Sequence, residues 1–189
     1  MTTPLPNNDL LNRFRGYLWA LAHAQLDPQL DASDIVQQTL LRAHAALPGL
    51  RDQSPNVLAA WLRQILATEL IDAVRYCKRD KRDVARERSL AADIDQSAAG
   101  LESWLAADHT SPSVAAERNE QMLHLANALL ELPVDQREIV ILKHLRDRTL
   151  QQIADECGRT VPAIAGLLRR GLAKLREVLE QSEEQERAD

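Results

Sequence analysis

The sequence predicts an all-α fold: two small helical domains joined by an acidic linker, with a helix-turn-helix in the C-terminal domain. The 189 residues are rich in Ala, Leu, Gln, Arg and Glu, whereas aromatic residues make up 3% and only six residues are Gly. This composition favours helices, and no alternating β-branched run indicates a sheet. Because much of the 45% hydrophobic fraction is Ala, we expect small cores rather than one large core.

The first predicted domain, residues 1–82, contains three helices. The first spans about residues 10–25, and Asp31 can cap the second, whose apolar positions recur at helical spacing. This apolar stripe consists of Val36, Leu40, Ala43 and Leu47. The third helix runs from about residue 56 to residue 82, and Trp61 belongs to its apolar face rather than to a DNA-contacting surface. Its polar stripe consists of Gln64, Thr68, Asp72, Arg75 and Arg79.

The middle of the chain has a weaker pattern and a negative charge. Residues 89–120 hold one Lys or Arg against six Asp or Glu. We therefore predict a linker over residues 83–112, with one short helix near residues 101–106. A second helical domain follows over residues 113–180, and the acidic tail, residues 181–189, is predicted to be disordered.

The end of the second domain predicts a helix-turn-helix over residues 149–179. Gly158 stands where the backbone between the two helices needs a positive φ. Thr160 can cap the second helix, and Ile153 and Ile164 can bury the two helices against each other. Spacing alone leaves an ordinary helical hairpin as the alternative to a DNA-binding motif.

Charge favours the DNA-binding alternative. Residues 159–176 contain five Lys or Arg and no Asp or Glu, in a chain whose net charge is -5. Cations concentrated on one helical hairpin suit a polyanion such as a DNA backbone. A second basic cluster, residues 75–82, includes Tyr76 and suits phosphate contacts with base stacking. Its alternative is a solvated helix terminus, where the helix dipole favours Lys and Arg.

Several classes of protein are disfavoured. The N-terminus does not resemble a signal peptide, and no apolar run approaches membrane-spanning length, so we expect a cytoplasmic protein. Cys77 and Cys157 are isolated and indicate thiols rather than a disulfide or a metal site. No phosphate-binding Gly loop, nucleophile motif or metal-ligand spacing is present, so we expect no enzyme activity and no cofactor.

Three segments together resemble a bacterial RNA polymerase sigma factor of the extracytoplasmic-function (ECF) group. The region-two helix that docks on the polymerase is similar to DASDIVQQTLLRAHAAL, residues 31–47. The helix that opens and recognises the proximal promoter element is similar to AAWLRQILATELIDAVRYCKRDKR, residues 59–82. Region four, which recognises the distal element, is similar to residues 129–177, with LELPVDQRE leading into the helix-turn-helix. The resemblance covers nearly the whole chain.

The resemblance implies a set of binding residues for each partner. Polymerase contacts fall on Asp34, Gln37, Gln38, Leu41 and Arg42. Proximal DNA contacts fall on Asp72, Arg75, Tyr76, Lys78 and Arg79. Distal DNA contacts fall on Arg159, Thr160, Ala163, Arg169, Arg170 and Lys174. The implied partners are core RNA polymerase and promoter DNA, and the family also implies an anti-sigma factor, which no residue here demonstrates.

The sequence departs from the family on the predicted recognition face, where Ala165 and Gly166 stand in place of basic or hydroxyl residues. Neither residue can donate a hydrogen bond to a base edge, so phosphate positioning is favoured over base recognition. The alternative function is a stand-alone helix-turn-helix regulator that binds DNA as a dimer, without polymerase.

Overall fold

The computed structural model describes residues 7–26, 31–46, 54–78, 84–108 and 115–188. These residues form nine α-helices and no β-strand, which confirms the predicted all-α class. The helices are α1 (Asn7–Asn12), α2 (Arg15–Gln25), α3 (Ala32–Ala46), α4 (Pro55–Lys78), α5 (Val84–Asp108), α6 (Ala115–Leu130), α7 (Val134–His144), α8 (Leu150–Cys157) and α9 (Val161–Ala188). None of the described helices is long and apolar enough to cross a membrane.

The helix α2 lies at the centre of the molecule and packs against α3, α4, α5 and α6. The predicted first helix, residues 10–25, is wrong in one respect, because the structure divides it into α1 and α2 at Arg13 and Phe14. Phe14 is buried and has no side-chain cap to offer the start of α2. The cap comes instead from Asn127 of α6, whose Oδ1 accepts a hydrogen bond of 3.1 Å from the Gly16 N–H.

The helices α3 and α4 follow the sequence patterns closely. Asp31 caps α3 as predicted, since its Oδ1 accepts a 2.8 Å hydrogen bond from the Ser33 N–H. Val36 and Ala43 are buried and Leu40 is half-buried, while Leu47 lies outside the described residues. In α4, Trp61 is half-buried and packs against the core, which confirms its interpretation as a core residue.

Most of the predicted linker forms one continuous helix of 25 residues, α5, so the prediction of a single short helix near residues 101–106 is wrong. One face of α5 is buried at helical spacing, through Ile94, Ala98, Leu101 and Trp104. These apolar residues stand among Ala, Ser and Asp, so the face is recognisable only once its neighbours are known. The boundaries of the linker, residues 83–112, stay a prediction.

The acidic tail is also helical. The predicted disorder of residues 181–189 is wrong for residues 181–188, which continue α9 without a break. In the second predicted domain, α6 ends at Leu130 and α7 begins at Val134, directly after Pro133.

The core differs from the expectation of several small cores. One large cluster of buried residues extends from Leu11 in α1 to Leu175 in α9 and includes α2, α4, α5 and α6. A second, small cluster belongs to the helix-turn-helix; it consists of Ile139, Ile153, Ala154, Ile164 and Leu167. The N-terminal half (α1–α4) and the C-terminal half (α6–α9) therefore share one core, with α5 packed against both.

Candidate functional site

The helix-turn-helix formed by α8 and α9 starts at a reciprocal cap. The Thr149 Oγ1 accepts a hydrogen bond from the Gln152 N–H at 3.2 Å. The Gln152 Oε1 accepts in return from the Thr149 N–H at 2.9 Å. Two of the free N–H groups at this helix start are thereby satisfied. The Thr-x-x-Gln spacing is a sequence signal for this cap, although only the start at residue 149 was predicted.

The turn between α8 and α9 confirms both local predictions. Gly158 has φ 61° and ψ 31°, in the left-handed region, and its N–H donates to the Ala154 carbonyl. Thr160 caps α9, since its Oγ1 accepts from the Ala163 N–H at 3.4 Å. Beneath the turn, Ile153 and Ile164 are fully buried. The angle between the two helices is therefore set by residues close together in the sequence.

The predicted distal DNA contacts lie largely on the surface. Exposed side chains are those of Arg159, Thr160, Ala163, Arg169 and Arg170, and Lys174 is half-buried. Ala163 and Arg170 are seven positions apart and share a face of α9. The structure thus brings five of the six predicted residues to an outer surface.

The recognition face differs from the prediction at Ala165 and Gly166, which are half-buried rather than exposed. The Arg170 side chain covers part of Gly166, because a Cβ built on Gly166 would lie 3.5 Å from Arg170 Nη1. The space that a base-recognising side chain would fill is thus bordered by a guanidinium group. An Arg at this place can still contact a phosphate.

The basic residues of this surface differ in their ion pairs. Arg159 Nη2 lies 2.7 Å from Asp135 Oδ2, at the start of α7. This hydrogen bond raises the pKa of the Arg159 guanidinium above its usual range. Lys174 Nζ lies 2.8 Å from Glu177 Oε1, and the contact lowers the pKa of Glu177. Among the described residues, neither Arg169 nor Arg170 takes part in an ion pair.

Asp135 is a residue that sequence reasoning missed. It lies 24 positions before Arg159, on another helix, and no local pattern connects the two. The contact leaves both side chains exposed, so it orients Arg159 more than it stabilises the fold. Any DNA contact by Arg159 therefore competes with Asp135.

The predicted proximal contacts are described only in part. Asp72 is exposed on α4 and its Oδ1 lies 3.4 Å from Arg75 Nη1. Tyr76 and Lys78 belong to the last turn of α4, but their side chains lie outside the described residues. Arg79 also lies outside the described residues.

The predicted polymerase contacts all lie on the outer face of α3. All five side chains are exposed, namely Asp34, Gln37, Gln38, Leu41 and Arg42. Leu41 is 59% exposed, which is unusual for a large apolar side chain on a helix with a well-buried inner face. Arg42 Nε lies 2.9 Å from Glu69 Oε1 of α4. The face therefore combines one apolar residue with a rim of polar and charged groups, as interfaces commonly do.

Comparison with protein families gives two matches, in the order of the chain. Residues 10–80 match the family Sigma-70 region 2. Residues 123–175 match the family Sigma-70, region 4. The first match contains the α3 face and the polar stripe of α4, and the second contains the helix-turn-helix. The helix α5 lies between the two matches.

Comparison with curated proteins gives relatives at low identity over most of the chain. The ECF RNA polymerase sigma factor SigG of Mycobacterium tuberculosis (strain ATCC 25618 / H37Rv) is 29% identical over 156 residues, which cover 78% of this chain and 42% of SigG. The RNA polymerase sigma-E factor of Streptomyces avermitilis is 26% identical, over 82% of this chain and 73% of its own length. The ECF RNA polymerase sigma factor SigW of Bacillus subtilis is 23% identical, over 90% of this chain and 87% of its own length. The chain thus spans less than half of SigG but most of SigW.

Proposed function

This chain belongs to the extracytoplasmic-function sigma factors of the sigma-70 family, and we propose that it binds core RNA polymerase and directs promoter recognition and transcription initiation. The observation that carries the proposal is the helix-turn-helix within the region 4 match, whose α9 surface presents two exposed guanidinium groups, Arg169 and Arg170. The region 2 match supplies a second candidate surface for DNA and one for the polymerase.

We place distal duplex DNA on the α9 face. Arg169 and Arg170 are the strongest candidates for phosphate contacts, because no described acidic side chain neutralises them. Ala163 can offer only apolar contact to a base, and Gly166 offers no side chain at all. Binding at this element is therefore governed by phosphate position and DNA shape more than by hydrogen bonds to bases.

We place the polymerase on the outer face of α3 and locally melted proximal DNA on the end of α4. The contacts proposed for the melted DNA are Asp72, Arg75, Tyr76, Lys78 and Arg79. The polymerase supplies the catalysis, and this chain supplies selection of the start site. Because both partners belong to the bacterial cytoplasm, we expect the chain to act there. An anti-sigma factor is a further partner that we propose to test.

The polymerase contact is tested by the double variant Asp34→Arg with Gln37→Ala. Both side chains are exposed and both lie outside the core, so the fold should stay intact while co-elution with core polymerase falls at least about tenfold, as expected when a charge is reversed inside an interface. The control is Glu131→Arg, an equal charge reversal at an exposed position in the C-terminal half. Unchanged co-elution of the double variant would show that the α3 face is not the docking surface.

The distal DNA contact is tested by the double variant Arg169→Ala/Arg170→Ala in the presence of core polymerase. Each lost phosphate contact should reduce the slope of log affinity against log salt by about 0.9, and almost uniformly over DNA sequences. Arg118→Ala is the control, since Arg118 is an exposed arginine of α6, outside the helix-turn-helix. If the salt titration of the double variant overlays that of the wild type, the assignment of these two residues is wrong.

A further inference from the structure

The start of α9 carries few side chains that can recognise a base. In a helix-turn-helix, the first residues of the second helix contact base edges in the major groove. Over residues 159–168 of this chain, Arg159 is the only charged side chain and Thr160 is the only other polar one. Thr160 already accepts the capping hydrogen bond from the Ala163 N–H. Direct recognition of a base at the start of α9 therefore falls mainly on Arg159.

The other arginines of this surface stand too far along α9 to take the same role. Arg169 lies eight positions after Val161, the first residue of α9, which corresponds to about 12 Å along the helix axis. We assign Arg169 and Arg170 to phosphates for this reason. Arg159 differs from both in its position, directly before the residue that caps α9, and in its surroundings.

The surroundings of Arg159 are acidic. Its Nη2 atom lies 2.7 Å from Asp135 Oδ2 of α7, and Glu138, one turn farther along α7, also attracts the guanidinium. A DNA phosphate that approaches Arg159 therefore also approaches two carboxylates, and like charges repel. The uncharged edge of a base meets no such repulsion. These surroundings favour a base over a phosphate as the partner of Arg159.

The small core fixes Asp135 relative to the turn that carries Arg159. Ile139 lies one turn after Asp135 on α7 and belongs to the same buried cluster as Ile153 of α8 and Ile164 of α9. Asp135 itself stands in the first turn of α7, where the helix dipole favours an acidic side chain. The carboxylate is therefore held at a fixed place beside the turn.

The ion pair engages a nitrogen that a strong DNA contact needs. A guanidinium has two faces with paired donors, Nη1 with Nη2 and Nε with Nη2, and Asp135 holds Nη2, which belongs to both. Because both side chains are exposed, the pair favours this position of Arg159 by at most about fivefold. A guanine whose O6 and N7 accept from one Arg is distinguished from other bases by about 5- to 150-fold. Guanine therefore outweighs the ion pair, whereas a phosphate only replaces one anionic acceptor with another.

We propose that Asp135 is a specificity-determining residue that acts through Arg159: it withholds the guanidinium from DNA phosphates, so that Arg159 engages DNA where the distal element presents a guanine. Arg159 touches the base, and Asp135 is a positioning residue. This inference rests on the proposed function, since it names what the distal DNA surface recognises. It adds selection at one base pair to the sequence-independent contacts of Arg169 and Arg170.

The base preference is measured with promoter fragments randomised over the distal element and bound by the chain together with core polymerase. We expect the wild type to enrich guanine at one position. Arg159→Ala should reduce that enrichment at least about fivefold, with the other positions unchanged. Arg159→Gln should lose it as well, because a Gln side chain pairs with adenine rather than with guanine.

The role of Asp135 is measured with Asp135→Asn, which removes the charge and keeps the shape of the side chain. Arg159 can then contact phosphates, so the affinity for fragments without the guanine should rise about two- to fivefold. On those fragments the slope of log affinity against log salt should steepen by about 0.9, as for one added phosphate contact. The guanine enrichment should fall by the same factor. A merely structural role of Asp135 would change neither the salt slope nor the enrichment at a single position.

The matched control is Glu131→Gln, which removes one negative charge from an exposed side chain four positions before Asp135. Its salt slope and its base enrichment should equal those of the wild type. The double variant Asp135→Asn/Arg159→Ala should have the salt slope of Arg159→Ala alone, because no guanidinium is left for the loss of Asp135 to release.

Two outcomes would overturn the inference. One is a uniform loss of affinity in Arg159→Ala with the salt slope flattened by about 0.9, which would make Arg159 a phosphate contact. The other is a wild-type salt slope and wild-type enrichment in Asp135→Asn. Failure of the proposed function has a different signature, namely a wild-type chain that never binds core polymerase. The same library bound by the chain alone would then show whether Arg159 and Asp135 still set a guanine preference.

Discussion

The helix-turn-helix and α5 are both helical, but different kinds of contact stabilise them. The helix-turn-helix has a reciprocal cap at Thr149, a left-handed turn at Gly158 and its own small core around Ile164. The last turn of α5 carries Asp108 and no Lys or Arg, which the helix dipole disfavours. Its buried face packs on other helices, namely α2, α4, α6 and α7, as Trp104 does on His144. The difference indicates that the helix-turn-helix is stabilised by its own residues, whereas the helical state of α5 depends on its packing against both halves.

The largest expected effect tests whether the helix-turn-helix is an independent unit. Ile164→Ala removes a fully buried side chain from the small cluster and should cost about 2–5 kcal/mol. Hydrogen exchange should rise in α8 and the first turns of α9, whereas α2 and α4 should keep their protection. Ala163→Gly, an exposed change in the same turn, should cost only about 1 kcal/mol. An equal rise throughout α2 would contradict the separation of the two cores.

A smaller effect is expected at the turn. Gly158→Ala should destabilise the helix-turn-helix by about 1–2 kcal/mol, because the left-handed backbone disfavours any Cβ. An added Cβ at Gly158 meets no atom within 4 Å, so the cost is conformational alone. Gly158→Asn should lose less, since Asn tolerates this region. Denaturant midpoints would measure the stability of both variants. An alanine variant as stable as the wild type would show that the turn can adopt another backbone conformation.

The smallest expected effect concerns pH at the junction of the halves. His23 stacks on Trp19, and burial lowers its pKa below 6.5, with Arg137 and Arg146 acting in the same direction and Asp31 against them. A histidine whose folded pKa is lowered contributes stability above the unfolded pKa, and that stability is lost as pH falls through the folded value. The packing around His23 should therefore weaken below about pH 6.5.

The measurement for this effect is hydrogen exchange across residues 84–108 between pH 5 and 8, corrected for the intrinsic pH dependence of exchange. His23→Gln keeps a polar side chain without a titrating group, so its corrected exchange should lose the extra rise at acidic pH. Parallel profiles for the variant and the wild type would mean that the protonation of His23 has no effect on the packing between the two halves.

Sequence reasoning succeeded where the contacts are local. Gly158, Thr160 and Asp31 were predicted in their roles because each acts on residues within a few positions. The five residues of the α3 face were assigned from the resemblance, and their exposure agrees with the apolar stripe on the opposite side of the helix. These features need no knowledge of the rest of the fold.

Sequence reasoning failed where a partner is distant. The break between α1 and α2 depends on Asn127, 111 positions from Gly16. The pairing of Arg159 with Asp135 links two helices, and α5 is helical because both halves cover it. Small apolar residues such as Ala98 give no periodic signal in an Ala-rich segment, so the length of α5 could not be predicted. Tertiary contacts override local preference at these positions.

Run-off transcription with purified core polymerase over a library of genomic promoter fragments tests the central claim most directly. We expect discrete start sites that appear only when the chain is added, together with little binding of duplex DNA by the chain without polymerase. A chain that adds no start sites to those of the bare enzyme, yet shifts a palindromic duplex unaided, would instead be a dimeric regulator and would contradict the account.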